Sequence, residues 1–211
     1  MTGMSEAGDR YWYEPQKGHG LPHDPLGSII APRPIGWIST HDGTGRRNLA
    51  PYSFFNLFNY RPPIIGFASV GYKDTLRNIE ATGEFVWNLV TRELSERMNA
   101  SSATVSPDTD EFDLAGLTSA SSVNVGTPRI VESPVNLECR LSQIVPLRDA
   151  AGGTVSTWLI LGEVVGVHIA HRLLRQGVYD TAGAAPVLRG GGRTDYFEIQ
   201  RQALFRMPQP A

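Results

Sequence analysis

The clearest periodicity in the chain runs over residues 135–142. Val135, Leu137, Cys139 and Leu141 are apolar, while Asn136, Glu138, Arg140 and Ser142 are polar. A period of two predicts a strand with one buried face. Residues 155–169 form a longer β-rich segment interrupted by Gly162 and Gly166, a spacing that suits a strand coiling around a barrel. Three short apolar runs, at residues 35–40 (IGWIST), 64–69 (IIGFAS) and 85–90 (FVWNLV), read as further strands. Residues 48–55 (NLAPYSFF) are as apolar, but Pro51 lacks the N–H that a regular central strand needs. A short strand is also expected at residues 11–13.

Helical signals are fewer. Asp74 or Thr75 can cap a helix over residues 76–82, and Gly83 stands where a C-terminal cap belongs. A second helix is expected over residues 92–100 and a short helical turn near residues 111–115. Strands outnumber helices and no repeat is visible. The apolar segments are short and lack the alternating helices of a parallel α/β fold. The pattern therefore predicts a mainly β fold, an antiparallel sheet closing into a barrel with a few inserted helices. Residues 1–25, with Gly18, Gly20 and three prolines, read as an irregular N-terminal arm. Residues 26–200 form the barrel domain and residues 201–211 a C-terminal tail.

Composition narrows the classes of function. The 211 residues suit one domain. The net charge is -2, and 19 basic and 21 acidic side chains are scattered rather than clustered, which speaks against nucleic acid as a partner. The single cysteine, Cys139, excludes an intramolecular disulfide and any multi-cysteine metal centre within one chain. It reads as a small core residue on its strand. The first nine residues lack the apolar core of a secretory signal, and no apolar run reaches 18 residues. A cytoplasmic protein, not associated with a membrane, is expected. Only 19% of residues are charged, against roughly 25% in typical soluble proteins. A surface so sparsely charged suits burial of part of it between subunits.

The dinucleotide glycine fingerprint, the phosphate loop, the nucleophile elbow and the zinc-protease motif are all absent. The best anion site is the turn Lys73-Asp74-Thr75. Free N–H groups at a helix N-terminus carry partial positive charge, Lys73 adds a full charge, and Thr75 and Ser69 add hydroxyls. A phosphomonoester needs this combination; an ordinary capped helix with a solvated lysine is the plainer alternative. A second cluster comprises Ser39 and Thr40 with Asn48, Ala50, Pro51, Tyr52 and Ser53. A proline-interrupted strand leaves backbone groups unpaired, and a flat heterocycle wants such groups at its edge and an apolar face to lie on. The alternative is a bulged edge strand in an aromatic core. His168 and His171 lie three apart at a strand end, where they face roughly opposite sides, so no metal site is expected. His168 is a candidate for lining a pocket, or else a satisfied strand-end histidine.

Five stretches, in order, resemble the flavin reductase-like family, the FMN-binding split-barrel proteins. They are APRPIGWIST at residues 31–40, NLAPYSFFN at 48–56, KDTLRNIEATGEFVWN at 73–88, LGEVVGVHI at 161–169 and RGGGRTDYF at 189–197. The resemblance runs from about residue 18 to residue 198. It implies a split β-barrel of Greek-key type and a homodimer with FMN near the subunit interface, with FAD left open. Ser39, Thr40 and residues 48–53 would then hold the isoalloxazine and ribityl chain. Ser69, Lys73 and Thr75, with Asp74 in the same turn, would hold the phosphate. The implied activity is hydride transfer from NAD(P)H to flavin, with His168 beside the nicotinamide and a monooxygenase as recipient of reduced flavin. A flavin-binding electron carrier or storage protein without nicotinamide turnover is the alternative. One departure from the family is Gly190, where a leucine is common, and it bears on the shape of the loop after Arg189.

Overall fold

A computed structural model of the protein describes residues 10–106, 108–192, 194–208 and 210. Residues 1–9 of the expected arm and Arg193 of the closing segment lie outside the described residues. The central element is a seven-stranded antiparallel sheet. Its strands are β1 (Gly36–His41), β2 (Arg47–Tyr52), β3 (Phe55–Tyr60), β4 (Pro63–Val70), β5 (Glu84–Asn88), β6 (Val135–Arg148) and β7 (Thr154–Ile169). They are ordered β2-β1-β5-β6-β7-β4-β3. The sheet coils around one apolar cluster to which six strands contribute: Ile38, Tyr52, Phe67, Phe85, Cys139 and Ile160. Helix α1 (Asp74–Thr82) packs Leu76 and Ile79 into the same cluster. This is the split barrel. The chain passes directly from β2 to β3 through Ser53 and Phe54, and no ladder among the described residues joins those two edge strands.

The glycine positions in β7 explain the coil. The register against β6 shifts between Leu161 and Gly162 and again between Val164 and Gly166. A Cβ on Gly162 would stand 2.4 Å from the Phe85 ring, so only glycine lets this strand cross so close to the barrel interior.

β1 is buried on both faces, and period two assigns them. Ile38 and Thr40 face the barrel and α1. Trp37 and Ser39 face a second core built by the excursion over residues 89–130, in which Trp37, Leu49, Met98, Phe112 and Ile130 meet. That excursion carries α2 (Ser95–Ala100), preceded by a 3-10 turn at Arg92–Leu94, and α3 (Glu111–Leu114).

Two expectations need correction. Residues 11–13 form no strand; the arm's polar groups bond locally, with the Tyr11 hydroxyl donating to the His19 carbonyl, and its regular piece is a 3-10 turn at Pro15–Lys17. The alternation over residues 135–142 predicts one buried face, but Asn136 and Glu138 on the other face are buried as well. The 120–130 segment covers them. Glu138 accepts from the backbone N–H of Val123 (2.8 Å) and Asn124 (2.6 Å) and lies 2.6 Å from His168 Nε2. Burial alone would raise its pKa, but these hydrogen bonds and the His168 charge outweigh burial and hold it below the usual range. A period-two pattern reports which side chains are apolar, not which faces later segments cover.

Among the described residues no helix is long and apolar enough to cross a membrane.

Candidate functional site

Among the described residues β2 is an edge strand paired only with β1, and Pro51 sits in register with Trp37. The proline therefore does not break the strand. The N–H of Leu49 points away from β1 and donates to Glu111 Oε2 at 3.2 Å. By the alternation of an antiparallel ladder, residue 51 points outward too, where a missing N–H costs no ladder bond. Ala50 and Tyr52 face the β1 ladder, so the Pro51 carbonyl faces the open edge, an acceptor rather than a donor, while Leu49 is itself fully buried.

Helix α1 starts one to two residues earlier than its sequence signals suggest. Its N-cap is Lys73, which provides no side-chain cap hydrogen bond, and its C-cap is Gly83 in the left-handed conformation at φ 73°. The first-turn N–H groups are thus not capped by a side chain from their own helix, which leaves them to whatever lies in front. Lys73 is exposed and makes no ion pair among the described residues, whereas Asp74 bonds Arg77 one turn on at 2.6 Å.

Between β2 and the start of α1 lies a cavity of about 310 Å³. Its walls are Asn48, Ala50, Pro51 and Tyr52 on one side and Lys73, Asp74 and Thr75 on the other; the segment 101–105 and Glu111 close it. Seven of the eleven residues singled out from the sequence thus line one cavity, although 27 residues separate Asn48 from Thr75.

A buried polar cluster fixes this geometry. Asn48 Nδ2 donates to Thr75 Oγ1 (2.9 Å) and to Thr40 Oγ1 (3.2 Å), and Asn78 Nδ2 donates to Thr40 Oγ1 (3.1 Å). Thr40 is therefore a supporting residue behind the wall. Thr75 has used an acceptor lone pair on Asn48, so its own proton remains available to a ligand. Tyr52 is buried, and its hydroxyl has no hydrogen-bond partner among the described residues. Burial pushes its pKa up, with the nearby Thr75 and Ser69 hydroxyls opposing the shift less strongly, so it stays a protonated donor. An orphaned buried O–H costs roughly 1–3 kcal/mol, which a ligand oxygen accepting from it would relieve.

The remaining residues are placed as follows. Ser69 is fully buried behind Tyr52 and donates to the Gly71 carbonyl at 2.9 Å. Ser53 lies beyond the cavity and offers its carbonyl to Arg33 Nε at 3.2 Å. Ser39 is turned to the opposite face of β1, donating to the Pro128 carbonyl at 2.7 Å, and is not brought into the cavity. His168 is also apart. Pro51, Trp37, Asn88, Asn136 and His168 form one row of register partners across five strands. Four inter-strand steps of about 4.8 Å put Pro51 and His168 about 19 Å apart along the sheet.

Sequence reasoning missed two contributors. Asn78 occupies an inward slot of α1 beside Thr75, Leu76 and Ile79, where a polar residue among apolar ones is a readable signal. Glu111 gives no such signal. It arrives from α3, half-buried, and burial raises its pKa while the N–H of Leu49 opposes that shift.

Residues 28–187 match the family described as flavin reductase like domain. An uncharacterized protein of Halalkalibacterium halodurans is 37% identical over 173 residues, covering 79% of this chain and 81% of that protein. Among solved structures, nitrilotriacetate monooxygenase component B from Bacillus cereus superimposes with a TM-score of 0.77 at 30% identity, covering 86% of this chain and 91% of its own. The 2-nitrobenzoate 2-nitroreductase of Pseudomonas fluorescens gives a TM-score of 0.78 at 25% identity, covering 100% of this chain and 99% of its own.

Proposed function

The chain belongs to the flavin reductase-like family, and on that premise we propose that it is an FMN-binding oxidoreductase taking hydride from NAD(P)H. The observation that carries this reading is the cavity that joins an edge strand to an uncapped helix start, with the orphaned Tyr52 hydroxyl in its wall. The residues present fit the group. A phosphate dianion at the first turn of α1 is bound by the helix N–H groups, the Lys73 ammonium and the Thr75 hydroxyl, with Tyr52 as the buried donor. The Pro51 carbonyl along the β2 edge suits the imide N–H of a flat ring, and Ala50 and Pro51 give it an apolar surface. Thr40, Asn48 and Asn78 hold Thr75 in place.

Flavin, when bound, supplies hydride acceptance and onward electron transfer, so no acid–base dyad is required of the protein. The chain's own part is to orient the ring, exclude water from one of its faces and fix the phosphate. Delivery of reduced flavin to a separate monooxygenase is the onward step we favour; the relative named as component B of a monooxygenase supports it. We also assign a second copy of the chain to the exposed apolar face where Ile29, Ile30, Phe54 and Phe58 line one depression, since a patch of this kind is normally covered.

Purified protein mixed with FMN should show a bound-flavin spectrum and a raised melting temperature, and anaerobic NADH or NADPH should bleach it. FMN at 100 times its Kd stabilises by about 2.7 kcal/mol, so the absence of any shift at saturating FMN refutes the reading. Binding without bleaching by either nicotinamide would instead assign an electron carrier.

A further inference from the structure

A second cavity, of about 510 Å³, lies at the other end of the register row, where β7 ends beside the start of β6. Its polar lining includes Arg129, Arg172, His168 and Asn136, and its apolar lining includes Val167 and Ile169. Arg129 is half-buried in the segment that covers β6. Its Nε is buried without a hydrogen-bond partner, and no hydrogen bond or ion pair engages its guanidinium among the described residues. A guanidinium is always charged and carries five donors in a planar fork, so holding one half out of water with nothing accepting from it is unfavourable. Every nearby carboxylate is already engaged. Glu138 is bound by two backbone N–H groups and His168, and Glu132, in the cavity wall, accepts from the Thr118 N–H with Arg97 3.6 Å away. Arg172 is exposed at the rim and adds a second positive charge.

We propose that this cavity is an oxyanion site, binding the carboxylate or phosphate of a small organic molecule between Arg129 and Arg172. The planar fork matches the two oxygens of either group, and Val167 and Ile169 give an apolar body a surface to lie on. The site is separate from the cavity at α1 and does not depend on the flavin reading.

The probes are inorganic phosphate, AMP and benzoate, titrated calorimetrically into the full-length protein and into Lys73→Glu, Arg129→Met and Arg172→Met variants. The expected result is saturable binding of at least one probe, retained in Lys73→Glu and weakened at least tenfold in Arg129→Met. Benzoate alone binding identifies a carboxylate ligand; phosphate and AMP binding identify a phosphate ester. Arg172→Met, at an exposed position, gives the same answer should Arg129→Met fail to fold. The proposal is overturned if no probe saturates, if neither arginine variant changes the affinity, or if Lys73→Glu abolishes binding. The last result would place the anion at α1 instead and leave the flavin reading standing.

Discussion

Asn48 Nδ2 donates to Thr75 Oγ1 at 2.9 Å, and this one bond ties the edge strand β2 to the first turn of α1. It fixes the spacing between the two walls of the cavity and leaves the Thr75 proton unused by that bond. The rest of the site is arranged around that strut.

Lys73 supplies the only full positive charge in the wall of that cavity among the described residues. Replacing it by glutamate puts a like charge beside a dianion. Lys73→Glu should weaken FMN binding by about tenfold or more, measured by flavin fluorescence quenching. An unchanged Kd removes the phosphate from this turn.

Tyr52→Phe separates stability from binding. In the flavin-free protein the substitution deletes a buried O–H that has no partner, so urea denaturation should show unchanged or higher stability, by up to about 1–2 kcal/mol. FMN affinity should fall roughly fivefold to tenfold, the worth of one hydrogen bond. A loss of stability without a loss of affinity would mean that the hydroxyl serves the fold alone.

Glu111 gives a pH dependence with a defined sign. Its pKa is raised in the folded protein, first by burial and less by the nearby Asp110 and Asp74 charges. The folded state therefore binds more protons than the unfolded state above the ordinary glutamate value of about 4.3. This stabilising contribution is complete below that value and is lost as pH rises through the folded pKa. Glu111→Gln, which keeps an acceptor for the Leu49 N–H, should flatten that decline. Parallel stability–pH curves for the two proteins would show that Glu111 does not titrate this way.

Gly162→Ala tests the coil of the barrel. The new Cβ would meet Phe85 at 2.4 Å and the Arg140 carbonyl at 3.2 Å. A cost of about 1–3 kcal/mol is expected from overpacking, seen as a lower urea midpoint with an unchanged m-value.

Much of the fold was legible because it is written in local patterns. Residues 35–40, 64–69 and 85–90 became β1, β4 and β5, and Gly83 capped α1 as its position predicts. The turn that enters α1 was legible for the same reason: a helix start and a lysine are neighbours in sequence. Ser39 and His168 show the limit. Ser39 shares a strand with Thr40, but period two sends it to the opposite face; His168 shares a register row with Pro51, yet lies four strands away.

By itself the sequence determined most of the strands, the helix that follows Lys73 and its glycine C-cap, since each follows from the shape and bonding capacity of adjacent residues. Tertiary structure alone decided that Glu111 closes the cavity, that Glu138 is buried on the polar side of its strand and that Arg129 is left without an acceptor. Those outcomes depend on which distant segment covers which face. That is settled by packing the whole chain, where burial and pairing of charges are won or lost among residues far apart in sequence.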